Sequence, residues 1–142
     1  EQFAFFHHGP ETSRRARALP AVLGLLCYGT ERLGRIVERH VRLAEYLASR
    51  IREERDLELL AEPQLSILCF RYRPPGVDDA TIDRVNREIR DALQSRGDFY
   101  LSETYLDGRP VLRVAILSRA TRAHHLDALV DAVLHEGRSA LT

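Results

Sequence analysis

Hydroxyl and guanidinium side chains occur close together in the stretch 99–118, in two β-rich runs separated by an Asp-Gly pair. Ser102, Thr104 and Arg113 are its chemically versatile members, with Tyr100 beside them. An arginine among hydroxyls can hold a carboxylate or a phosphate through two parallel hydrogen bonds. The same residues also suit an ordinary solvated sheet face, and composition alone favours that second interpretation.

The Asp-Gly pair at 107–108 predicts a two-residue hairpin turn between these runs. With that turn, Ser102 lies opposite Arg113. Because side chains alternate along a strand, Tyr100, Ser102, Thr104 and Arg113 are expected to share one face. The other face carries the residues that we assign to the core: Phe99, Leu101, Tyr105, Leu112, Val114 and Ile116.

The remaining elements follow from hydrophobic spacing and from capping residues. Pro20 either kinks the first helix or lies in the first turn of a helix that begins near Leu19. We predict, in chain order, a helix from residue 12 or 13 to Gly29, a helix from Thr30 to about Glu54, a strand from Leu65 to Arg73, a helix capped by Asp78 or Asp79 and ended by Gly97, the hairpin, and a last helix from Thr121 to Gly137.

This order of elements predicts an α+β fold. We expect a two-layer sandwich in which a three-stranded or larger antiparallel sheet carries helices on one face and is preceded by a long helix. The second hairpin strand should lie between the other two strands, antiparallel to both. We divide the chain into an N-terminal segment and linker helix, residues 1–29, and a small α+β domain, residues 30–142.

Composition narrows the possible functions. The chain has 142 residues, and its 21 basic residues, all arginine, balance 21 acidic ones. A net charge of zero gives no reason to expect nucleic acid or an anionic membrane as partner. Because there is no lysine, no side chain can form a Schiff base with a carbonyl cofactor. No transmembrane segment or signal peptide is evident, so we expect a cytoplasmic location.

The cysteines and the histidine pair give no sign of a reactive or metal site. Cys27 and Cys69 lie in apolar surroundings without C-x-x-C spacing, and we predict that both are buried and inert. His7 and His8 are adjacent, so their side chains diverge in extended chain, and no third ligand lies at a useful spacing. We therefore expect no metal site.

Several short motifs, taken together, resemble one enzyme family. They are Ser13-Arg14-Arg15-x-Arg17-x-Leu19, Tyr28-Gly29, His40-Val41-x-Leu43, Leu68-Cys69-Phe70-Arg71, Asn86, Gly97, Leu112-Arg113-x-Ala115-Ile116 and Ser118. Their order and separations resemble the C-terminal part of group II pyridoxal-phosphate-dependent amino-acid decarboxylases, the aromatic-amino-acid and histidine decarboxylase-like enzymes of fold type I. The resemblance extends from Ser13 to about Gly137.

The resemblance implies a small domain that helps to close and shape an active site built mainly by a large domain upstream. That large domain would supply the Schiff-base lysine, so no catalytic or cofactor-binding residue is expected in this chain. Pyridoxal 5'-phosphate would belong to the full-length enzyme, and none is expected to bind this fragment. The implied partners are the chain's own large domain, a second subunit of a homodimer and a small amino-acid substrate.

The resemblance also assigns residues to the neighbourhood of the substrate. Ser13, Arg14 and Arg15 match a segment that approaches the substrate pocket and the subunit interface. Arg113, with Ser102 and Thr104 beside it, matches an arginine that reaches toward the active site from the small domain. Orientation and closure are its expected roles, because a decarboxylase must leave the substrate carboxylate free to depart. The alternative is a stand-alone, non-catalytic interaction or dimerisation module of the same fold.

Overall fold

The computed structural model describes residues 16–142, which form three helices and four strands. The described chain divides after Arg35 into two units, the first ending at Arg35 and the second comprising residues 36–142. In chain order, the elements are α1 (Leu19–Glu53), β1 (Leu57–Gln64), β2 (Ile67–Tyr72), α2 (Asp79–Arg96), β3 (Ser102–Leu106), β4 (Arg109–Ala115) and α3 (Ala123–Leu141).

The first unit contains the start of α1, and Pro20 lies in its first turn, where a missing N–H costs no helical hydrogen bond. At Gly29 the backbone leaves helical geometry, with φ 73° and ψ 160°. Cys27 in this segment is exposed, so the prediction that it is buried is wrong. Apolar neighbours in sequence do not bury the thiol, because they are exposed themselves: Leu19, Val22, Leu23, Leu25, Leu26 and Tyr28.

The second unit is built on an antiparallel sheet with strand order β1-β2-β4-β3. Strand β4 lies between β2 and β3, which confirms the predicted position of the second hairpin strand. The α+β prediction of a sheet with three or more strands, preceded by a long helix, is likewise confirmed.

In the second unit, an apolar core lies between the sheet and the helices. Leu68, Phe70 and Tyr72 alternate along β2, and they pack with Leu112 and Val114 of β4. The second half of α1 and both later helices complete this core with Ala44, Leu47, Ile51, Val85, Ile89, Leu93, Leu126, Leu129, Val130 and Val133. Tyr105, which the alternation assigns to the core, is 58% exposed, because β3 is an edge strand.

Strand β1 was not predicted. Its sequence, Leu-Glu-Leu-Leu-Ala-Glu-Pro-Gln, carries two acidic residues and a proline, which are infrequent in strands. Its pairing with β2 is interrupted between Leu59 and Ala61 and again between Ala61 and Gln64, so the alternation is irregular as well. Pro63 is tolerated there because β1 is an edge strand.

Helix ends agree with the capping residues except in α3. Asp78 caps α2 by accepting a hydrogen bond from the Thr81 backbone N–H, and Gly97 ends that helix with φ 77°. Helix α3 has Arg122, not Thr121, as its N-cap, and it continues past Gly137 to Leu141. The predicted end at Gly137 is therefore wrong.

Gly137 serves packing. A Cβ atom at this position would lie 2.7 Å from three ring atoms of Tyr72. The absence of a side chain thus lets the β2 tyrosine ring lie directly against the α3 backbone, which fixes the helix on the sheet.

Asn86 joins α2 to the end of β2 by hydrogen bonds. Its Oδ1 accepts from the Tyr72 N–H at 2.8 Å, and its Nδ2 donates to the Tyr72 carbonyl at 2.9 Å and to the Ile82 carbonyl at 2.8 Å. The side chain is 2% exposed. It satisfies backbone groups that the sheet leaves unpaired in a place that water does not reach.

Candidate functional site

The strand residues that alternate with the core residues form a second surface, here called the polar face. The helices pack on the other side of the sheet, against Leu68, Phe70 and Leu112. The polar face comprises Glu58 and Ala61 of β1, Cys69 and Arg71 of β2, Arg109, Val111 and Arg113 of β4, and Ser102, Thr104 and Leu106 of β3.

Arg113 lies in a row of small residues that crosses the sheet. It pairs with Ser102 on one side and with Cys69 on the other, and Cys69 in turn pairs with Ala61. The pairing of Ser102 with Arg113 confirms the register derived from the Asp-Gly turn. Because its neighbours have short side chains, the guanidinium is the largest group in this row.

The hydroxyl groups of Ser102 and Thr104 share the polar face with Arg113. The Ser102 Oγ donates a long hydrogen bond of 3.4 Å to the backbone carbonyl of Arg113. Thr104 pairs with Val111, one step further along the same face. Tyr100 precedes β3 and is 85% exposed, so the structure does not place it in the paired part of the hairpin.

Arg113 is half-buried, and no carboxylate among residues 16–142 forms an ion pair with it. Burial raises the pKa of the Cys69 thiol, and the neighbouring positive charge of Arg113 partly offsets this. A partly desolvated cation without a counter-ion in the described part of the chain has hydrogen-bond donors available to an anion.

A second group of arginines on this side is already paired. The Nε of Arg71 donates to Glu58 at 2.7 Å, and the Arg71 side chain is 6% exposed. Asp79 pairs with Arg73 at 3.1 Å and with Arg109 at 2.8 Å, so it connects the start of α2 to the residue after β2 and to the hairpin. These carboxylates fix their arginines, and Arg113 differs from them in having no such partner in residues 16–142.

Sequence reasoning missed the Arg71–Glu58 pair. The pair joins β1 to β2, and it depends on the register of a strand that was not predicted. The available signal was an arginine within an otherwise apolar run, Ile-Leu-Cys-Phe-Arg, because a buried arginine requires an acidic partner.

The remaining predicted site residues cannot be compared with this surface. Ser13, Arg14 and Arg15 lie outside the described residues, as do His7 and His8. Residues 16–142 contain no group of three His, Cys, Asp or Glu side chains arranged to hold a metal ion. No helix in the described part of the chain has the length and apolar character needed to cross a membrane.

Comparison with known proteins identifies the chain's relatives. A family profile described as "Pyridoxal-dependent decarboxylase conserved domain" matches residues 4–73. Tryptophan decarboxylase 2 of Oryza sativa subsp. japonica is 32% identical over 115 residues, which cover 81% of this chain and 23% of that protein. Tyrosine decarboxylase 2 of Arabidopsis thaliana is 32% identical over 114 residues, with coverages of 80% and 21%.

A solved structure gives the same result for the fold. Catharanthus roseus tryptophan decarboxylase in complex with L-tryptophan superposes with a TM-score of 0.78 at 27% identity, over 95% of this chain and 29% of that one. The chain thus spans less than a third of the length of each of these three proteins.

Proposed function

We propose that this chain is the C-terminal small domain of a pyridoxal-phosphate-dependent L-amino-acid decarboxylase, because the pyridoxal-dependent decarboxylase profile matches residues 4–73 and the two decarboxylase relatives match 81% and 80% of the chain. Its role is to help close and shape an active site whose catalytic lysine lies elsewhere in the full-length enzyme. An aromatic amino acid is the proposed substrate class, in keeping with the names of the two plant relatives. The observation that carries the proposal is that Arg113, on the polar face, has no ion-pair partner among residues 16–142.

The chain's own residues do not fit pyridoxal phosphate as a resident cofactor. There is no lysine to join its carbonyl carbon. The N-terminus of α2, a possible phosphate site, is capped by the carboxylate of Asp78 and followed by Asp79, which repel an anion. When bound by the full-length enzyme, the cofactor would supply the electron-accepting ring, and this chain would contribute only to its surroundings.

Arg113 is proposed to orient the substrate or to hold the closed state. Its guanidinium offers parallel N–H donors and remains charged at physiological pH, so it can bind an anion but cannot serve as a proton donor or acceptor. Ser102 holds the Arg113 backbone from the neighbouring strand, and Thr104 provides a further hydroxyl on the same face. Ser13, Arg14 and Arg15 are proposed to complete the substrate-proximal set.

The proposed partners are the large domain and a second subunit of a homodimer, in a cytoplasmic enzyme. The exposed apolar side chains of the first unit support this proposal. Leu26 is 76% exposed and Leu23 49% exposed, which is costly for a helix that remains in water. The same surface also supports the alternative function, a non-catalytic interaction or dimerisation module.

Release of carbon dioxide from L-tryptophan and L-tyrosine distinguishes the two functions. We expect the full-length protein, supplied with pyridoxal phosphate, to release it and the 142-residue chain alone to release none. A full-length protein that binds the cofactor but releases no carbon dioxide from any proteinogenic amino acid would contradict the decarboxylase proposal. Dimerisation of that inactive protein through the first unit would support the alternative.

A further inference from the structure

A cavity of about 540 Å³ opens on the polar face beside Arg113; Ala61 of the Arg113 row lines it, but Arg113 does not. Its apolar wall comes from Leu60 and from Leu106 and Val111 of the hairpin. Its polar lining comes from Arg71, Asp107 and Arg109. The cavity thus combines a short hydrophobic wall with two guanidinium groups.

Arg71 gives this cavity a charged hydrogen-bond donor held in a fixed position. Its side chain is 6% exposed, and its only hydrogen bond to residues 16–142 runs from Nε to Glu58. A guanidinium has two hydrogen-bonding edges, and the edge formed by its two terminal nitrogens has no acceptor in this part of the chain. Because these nitrogens line an open cavity, a ligand that supplies two acceptors can replace water as their partner.

Charge balance selects the kind of anion. Glu58 already offsets the charge of Arg71, Asp79 is shared between Arg73 and Arg109, and Asp107 adds a carboxylate to the lining, so the surroundings carry little net charge. This arrangement favours a singly charged, planar ligand over a dianion such as phosphate. Two carboxylate oxygens match the free edge of a guanidinium, and a short alkyl tail matches Leu60, Leu106 and Val111.

We propose that this cavity binds a small monocarboxylate with a short apolar tail, held through two parallel hydrogen bonds from the terminal nitrogens of Arg71. Arg109 lies at the rim of the cavity, where its exposed side chain forms an ion pair with Asp79 and adds long-range attraction for an anion. The site is separate from the proposed role of Arg113, and it remains whether or not the full-length protein is a decarboxylase.

The test is a titration of the ¹⁵N-labelled 142-residue chain with sodium butyrate, followed through the Arg71 Nε–H resonance and the neighbouring backbone amides. Sodium acetate, sodium phosphate and sodium chloride at equal ionic strength are the comparators. We expect saturable shifts that are tighter for butyrate than for acetate and weaker for phosphate. Shifts that do not saturate, that chloride reproduces, or that phosphate gives at lower concentration would overturn the proposal.

Three variants connect any binding to the cavity. Arg71→Gln removes the charged donors, and we expect binding to weaken by about tenfold to a hundredfold, the usual effect of losing charged hydrogen bonds. Ala61→Trp fills the cavity from the exposed edge while keeping the Arg71–Glu58 pair, so it decides the question if Arg71→Gln does not fold. Arg84→Gln, on an exposed surface of α2, is the matched control and should bind as the parent does. Unchanged binding in Ala61→Trp would refute the site.

Discussion

The two faces of the sheet use the same strands for different purposes. On one face, Phe70 and Leu112 are buried in the core beneath the helices. On the other, Arg113 is a half-buried cation with no ion-pair partner among residues 16–142. Adjacent residues of one strand thus face different surroundings, so substitution of Phe70 should change mainly stability and substitution of Arg113 mainly activity.

The largest expected loss of stability comes from Phe70→Ala on the buried face. Phe70 is fully buried in the core of the second unit. Truncation removes its buried apolar area and leaves a cavity, so we expect the free energy of unfolding to fall by about 3–5 kcal/mol. Urea denaturation measures this, with Tyr100→Ala as control, because that side chain is 85% exposed. Equal losses in the two variants would contradict the core described here.

Asn86→Ala should cause the second-largest loss of stability. The substitution leaves the buried N–H and carbonyl of Tyr72 without their side-chain partners. Because each unsatisfied buried group costs about 1–3 kcal/mol, we expect a total loss of about 2–4 kcal/mol. Amide hydrogen exchange provides a local check: the Tyr72 amide should lose protection more than the Leu68 amide does. Unchanged exchange at Tyr72 would show that the amide contact is dispensable.

Gly137→Ala should destabilise by about 1–3 kcal/mol, because the new methyl group overlaps the Tyr72 ring. Gly34→Ala is the matched control. It lies in α1, and apart from its chain neighbours and the nearby helix backbone, no atom of residues 16–142 lies within 4 Å of the added Cβ. Alanine has the higher helix propensity, so this control should gain up to about 1 kcal/mol. Thermal unfolding of both variants tests the difference in sign, and a stabilised Gly137→Ala would show that the ring can move away.

A smaller effect is expected from the α2 cap, and it depends on pH. Hydrogen bonds from Thr81 hold the pKa of Asp78 below its ordinary value. The carboxylate therefore contributes stability above the unfolded-state pKa of about 3.9, and this contribution is lost as the pH falls through the lower folded value. Asp78→Asn keeps a capping acceptor but removes the titration. Its unfolding free energy should fall less steeply with acid than that of the parent, and parallel pH profiles would contradict this.

The regular elements were predictable because each depends on local chemistry. Helix α2 follows from the Asp78 cap, its apolar spacing and Gly97, and the hairpin register follows from the Asp-Gly turn. The same register also placed Ser102 beside Arg113 correctly.

The incorrect predictions concern features that are determined by tertiary contacts. Strand β1 forms through pairing with β2, despite its acidic residues and proline, so the Arg71–Glu58 pair was missed with it. Gly137 looked like a helix end, but it is required by a ring that comes from a distant strand. The exposure of Cys27 likewise depends on what packs around α1, which an apolar sequence does not specify.

The most direct test of the account is to measure Arg113→Ala in two settings. In the 142-residue chain, we expect the free energy of unfolding to change by no more than about 0.5 kcal/mol, because no ion pair within residues 16–142 is lost. In the full-length enzyme, we expect kcat/KM to fall by about tenfold to a hundredfold, the size of a lost charged hydrogen bond. Arg113→Lys should lie between the parent and Arg113→Ala, and Arg84→Ala should match the parent. A full-length Arg113→Ala enzyme that turns over substrate at the parent rate would contradict the proposed role of the polar face.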